Sequence, residues 1–109
     1  MIVTAWKNGR FEELNTTYGL RINRIDRDYY FKKEWENVIL KLESETNIVE
    51  VNIDKDSFWK NEKPCIELIS KYIKEWLTKN KKNQWERYHP HKFEMKHLKN
   101  NEFKVSKGI

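Results

Sequence analysis

The stretch best equipped for chemistry by contact is 79–92. It carries Lys79, Lys81, Lys82, Arg87 and Lys92 against one acid, Glu86, with Trp85, Tyr88, His89 and His91 interleaved. Cations neutralise phosphates and flat side chains stack on bases, so the mixture suits a single strand or a duplex groove. The competing reading is a solvated loop whose Trp85 and Tyr88 fold back onto a neighbouring helix. A second cluster is Asp26-Arg27-Asp28, with Arg21 and Arg24 before it and Tyr29 and Tyr30 after it. Here the three arginines offer phosphate contacts and a tyrosine offers a stacking face. Alternatively, Asp26 caps a helical turn, Arg27 pairs with a nearby carboxylate, and Tyr30 and Phe31 enter the core. The expected nucleic-acid-binding set is Arg21, Arg24, Arg27, Lys81, Lys82, Trp85, Arg87, Tyr88 and Lys92.

Catalytic chemistry finds weaker footing. His89 and His91 flank Pro90, which favours an extended backbone and puts both rings on one side, with His97 further along. Zinc wants a defined set of three or four ligands, and no cysteine or carboxylate is poised beside these histidines. Glu94-Met95-Lys96 has the Glu-x-Lys form of a metal-dependent nuclease, with Asp54 or Glu50 as a partner acid. That short form recurs by chance in a lysine-rich chain. Ser57-Phe58-Trp59 offers a turn cap and a tryptophan that closes the core or stacks on a base. Cys65 is expected to be a buried, inert thiol on a helix face. No Gly-rich phosphate loop or serine nucleophile elbow occurs in the sequence. The expectation is a non-enzymatic module with no catalytic residue, metal or cofactor. A protein-interaction or accessory subunit is the alternative, and a small metal-dependent hydrolase the further one.

These residues sit in a chain of 109, with 22 basic and 17 acidic side chains and a net charge of +5. The excess is uneven. Residues 58–109 hold 13 basic groups against 6 acidic, whereas residues 1–57 hold 9 against 11. A basic half favours a polyanionic partner. Seventeen of the cations are lysine and five arginine, a bias that A/T-rich coding also produces. Fifteen aromatics in so short a chain imply a packed core and one domain spanning 1–109. No apolar run of about 18 residues and no charged-then-apolar leader is present, so the expected location is the cytoplasm. One cysteine cannot make an internal disulfide.

Periodicity supplies the elements that must position these groups. Ile2–Trp6 reads as a strand ended by the turn signal Asn8-Gly9, followed by a polar loop over 11–17. Tyr18–Asn23 reads as a strand and 26–32 as a short helical turn. Trp35–Glu43 and Ile48–Asp54 alternate apolar and polar residues and form a hairpin around 44–47. Residues 64–79 read as one long amphipathic helix, opened by Pro64 and stopped by a left-handed Asn80. His91–Lys99 and Glu102–Ser106 form a closing hairpin around Asn100-Asn101. The fold expected is α+β: a small, strongly curved, mainly antiparallel sheet or pseudobarrel with the long helix packed at one opening.

Several of these residues resemble a family of small uncharacterised bacterial proteins. The likeness runs through Tyr18-Gly19, Asp26-Arg27-Asp28 with Phe31 and Trp35, Val51-Asn52-Ile53-Asp54-Lys55, Ser57-Phe58-Trp59, Trp76-Leu77, Trp85, Pro90 and Phe103. It spans Ala5 to Val105 and implies one intact domain without assigning an activity. Pro64-Cys65 stands where the family pattern has cysteine before proline. At the level of element order the chain is also similar to B3-type DNA-binding pseudobarrels, which implies DNA as a partner.

Overall fold

Alternating apolar residues put most of this chain into strands. The computed structural model describes residues 1–11 and 13–108. Glu12, inside the expected 11–17 loop, and Ile109 lie outside the described residues. The strands are β1 (Ile2–Asn8), β2 (Thr17–Arg21), β3 (Asn37–Leu42), β4 (Val49–Asn52), β5 (Glu67–Ile69), β6 (Lys92–Lys99) and β7 (Glu102–Ser106). Three short helices interrupt them: α1 (Arg24–Tyr30), α2 (Asp56–Trp59) and α3 (Lys71–Lys79). One sheet contains all seven strands in the order β4-β3-β7-β6-β1-β2-β5. Every neighbouring pair is antiparallel except β3 and β7. The sheet curls until its edges β4 and β5 meet, giving a half-barrel. The α+β, strongly curved, mainly antiparallel architecture thus agrees with the pattern of the sequence.

The concave face collects one side of each strand. Val3 and Ala5, Val38, Leu40 and Leu42, Phe93 and Met95, and Phe103 and Val105 are all buried. Apart from Ala5, each such side chain contributes about 1.5–3 kcal/mol when fully removed from water. From inside the curl, α3 adds Ile73, Trp76 and Leu77, and the Trp76 indole N–H donates to the Glu43 carbonyl at 3.0 Å. Phe31 stacks on Phe103 with centroids 4.8 Å apart, closing the core beneath α1.

The single helix expected over 64–79 is two elements. Residues 67–69 form β5 and only 71–79 are helical. Ile66 and Leu68 lie two apart, a strand spacing hidden within an apolar run that also satisfies helical spacing. The deciding factor is tertiary: β2 presents an unpaired edge, and β5 completes it through Gly19↔Ile69 and Arg21↔Glu67. Gly19 permits the close approach, since a Cβ there would sit 2.6 Å from the Leu68 carbonyl oxygen. Ser70 then starts α3 by accepting from the Tyr72 N–H. Cys65, expected to be buried on the helix, is exposed because it lies in the extended segment before β5. Its N–H donates to the Ser57 carbonyl at 2.8 Å.

Two caps also differ from expectation. Asn23, not Asp26, caps α1: its Oδ1 accepts from the Asp26 N–H at 2.8 Å while its Nδ2 donates to the Asp26 carboxylate. At the end of α3 the left-handed residue is Lys81 (φ 57°), not Asn80 (φ −94°). The Lys82 N–H reaches the Leu77 carbonyl at 2.7 Å and the Lys81 N–H reaches Thr78, the paired bonds that terminate many helices. The β3–β4 hairpin and the β6–β7 hairpin around Asn100-Asn101 form as expected.

Candidate nucleic-acid interface

The loop between α3 and β6 is organised by Trp85. Its ring meets Phe11 edge-on at 5.0 Å, Tyr18 at 6.2 Å and His91 at 6.3 Å. Tyr18 donates its hydroxyl to the Asn83 carbonyl at 2.9 Å, and His91 Nε2 lies 2.7 Å from the Gln84 carbonyl that accepts from it. These contacts pin both halves of the loop to β2 and to the start of β6. Trp85 is therefore an anchor, half-buried against the core rather than offered to solvent.

What the anchor leaves outside is cationic. Lys81, Arg87 and Lys92 are exposed and Lys82 is half-buried. Tyr88 is 81% exposed, with the Arg87 guanidinium 4.9 Å from its ring centre. Lys79 turns away, its ammonium 3.1 Å from Glu45. Two of these residues have backbones in the left-handed region, Lys81 at φ 57° and Tyr88 at φ 67°. Such a conformation costs an L-residue about 1–2 kcal/mol, and for a bulky aromatic it is an outlier.

Sequence reasoning missed three members of this surface. Lys7 lies 4.4 Å from the Phe11 ring centre, Phe11 itself packs on Trp85, and Lys74 lies 5.8 Å from the Tyr18 ring centre. Register brings them in, because β1 pairs Lys7 with Tyr18. No local pattern in the sequence carries that pairing.

The three arginines of the second cluster divide. Arg21 is exposed on β2 and held 3.3 Å from Glu67. Arg24 is exposed on α1, bonds the Asn61 carbonyl at 3.0 Å and pairs weakly with Asp28. Arg27 is only 1% exposed. Its Nη1 donates to the carbonyls of Phe58 (2.7 Å) and Lys60 (3.1 Å), its Nε and Nη2 meet Asp28 at 3.0 Å, and Trp59 lies beside it. It clips α1 to α2 and is spent in doing so. Arg21 and Lys92 do share a face: both pair with Thr4 of β1, from opposite sides. Cross-strand partners point the same way, so the two cations flank Thr4 on the convex surface.

The other candidates are dispersed. His91 and His97 are separated by about 20 Å of strand. His97 sits over Phe103 with Nε2 at 2.7 Å from the Asn100 carbonyl. Glu94 and Lys96 point outward on β6, while Glu50 accepts from Asn37 at the far edge of the sheet. Among the described residues no group of three or more His, Cys, Asp and Glu could hold a metal ion. No described helix is long and apolar enough to cross a membrane. No family model, curated protein or solved structure matches the chain, so the role of this surface rests on its geometry and charge.

Proposed function

We propose that this protein is a non-enzymatic nucleic-acid-binding module whose contact surface is the Trp85-anchored loop. Lys81, Lys82, Arg87 and Lys92 contact phosphates, Tyr88 stacks on a base, and Arg21 extends the cationic strip beyond Thr4. The observation that carries the reading is Tyr88. It is an aromatic residue in a left-handed backbone, 81% exposed, with the Arg87 guanidinium beside its ring. Folding gains nothing from a strained, solvated tyrosine, and local rules broken without a folding return point to use. Titration of labelled single-stranded and duplex DNA and RNA at two salt concentrations tests this. Binding with a steep salt dependence is expected. Changing Lys81, Lys82 and Arg87 together to Glu should abolish it while the protein stays folded, as read by circular dichroism. Retained affinity in that folded variant would sink the proposal.

A second reading has its own observation. Ile25 (81% exposed) and Tyr29 (78% exposed) lie four residues apart on α1, an apolar stripe facing solvent. This stripe suits a protein partner, and a complex insensitive to salt would favour it.

A further inference from the structure

The convex face of the sheet holds a row of lysines that the loop does not include. Register places Lys41 of β3 opposite Lys104 of β7, and Lys104 opposite Lys96 of β6. All three are exposed. Three cations thus stand side by side across about 10 Å of sheet. Like charges directly opposite one another weaken strand pairing. Lys41 offsets part of this through Glu102 at 3.3 Å, whereas Lys96 and Lys104 have no ion-pair partner among the described residues. The rows on either side are mixed: Glu50–Ile39–Glu102–Lys99 on one, and Glu94 with Ser106 on the other. These carboxylates stand two residues along the strands, about 7 Å away. Lys92, part of the loop surface, shares the outward face of β6 with Lys96, about 13 Å along the strand, with Glu94 between them.

We infer that the backbone of a bound single strand continues from Lys92, past Glu94, to Lys96 and then across the sheet along Lys104 and Lys41. This path rests on the nucleic-acid reading of the loop. It also accounts for a like-charge row retained at the expense of strand pairing, the kind of local conflict that marks a working surface.

The test is the salt dependence of binding to a labelled single-stranded oligonucleotide, for the unchanged protein and for two sets of variants. Replacing Lys41, Lys96 and Lys104 with Gln should lower the slope of log affinity against log salt by about 2, since each single-strand phosphate contact contributes about 0.7. Affinity at low salt should fall about tenfold or more, and the melting temperature should rise as the repulsion is removed. Lys104→Gln alone should lower the slope by about 0.7. The same three positions changed to Arg should keep the slope of the unchanged protein. If the unchanged protein binds and the triple Gln variant keeps its affinity and slope, the path is wrong and the loop reading stands. If the unchanged protein binds no nucleic acid, both fall.

Discussion

Two guanidinium–aromatic pairs stand beyond opposite ends of β2, and they have opposite fates. Arg27 lies 5.6 Å from the Trp59 ring centre and Arg87 lies 4.9 Å from that of Tyr88. Around Arg27, the carbonyls of Phe58 and Lys60 and the Asp28 carboxylate take up its donors, and the group is buried. Around Arg87 there is solvent, with no hydrogen bond or ion pair among the described residues. The same two residue types therefore build a joint at one end and leave a contact surface at the other. What separates them is whether nearby backbone carbonyls lack a donor. A helix of four residues such as α2 leaves its last carbonyls without intrahelical partners, and Arg27 supplies the missing donors.

The contrast can be broken in graded steps. Arg27→Ala should produce the largest loss, about 3 kcal/mol in urea unfolding, because buried carbonyls and an adjoining carboxylate lose their donor. Arg27→Lys should recover only part of it, since an ammonium cannot reproduce the planar fork. If Arg27→Ala left stability untouched but cut nucleic-acid affinity, the roles of the two ends would be reversed. Trp85→Ala should cost less, about 2 kcal/mol, because the ring is half-buried and full burial is worth about 3–5. Faster amide exchange across 80–91 should accompany it, with weaker binding through loss of loop order. Tyr88→Gly sharpens the comparison most, since the two readouts move in opposite directions. Relief of the left-handed backbone should stabilise the fold by about 0.5 kcal/mol. Loss of the stacking face should weaken binding by about 1–3 kcal/mol. Arg24→Ala, at an exposed site, should shift stability by less than about 0.5 kcal/mol, measured in the same unfolding assay.

How much of this was legible in the sequence depends on the range of the interactions involved. The β3–β4 and β6–β7 hairpins follow from alternation and turn residues, both local. The boundary between β5 and α3 does not, because it is set by a hydrogen-bonding edge on β2, far away in sequence. Arg27 illustrates the same limit: its sequence neighbours look like a surface cluster, and only the carbonyls near residue 60 pull it inside. The basic loop is visible in composition, and composition leaves Trp85 free either to face solvent or to fold back and anchor the loop. Lys7, Phe11 and Lys74 join that surface through strand register and side-chain packing, which no residue spacing encodes. The lysine row is likewise invisible in one dimension, since its members lie on three strands.

The parallel pairing of β3 with β7 has a consequence for synthesis. The last strand in chain order lies inside the sheet, between β3 and β6, and not at an edge. Until residues 102–106 have emerged, β4-β3 is a two-stranded ribbon hydrogen-bonded to no other strand, and the rest of the sheet has an open flank at β6. A chain made only as far as residue 101 therefore holds two unjoined pieces with exposed apolar faces, and β7 joins them through a contact spanning some sixty residues of sequence.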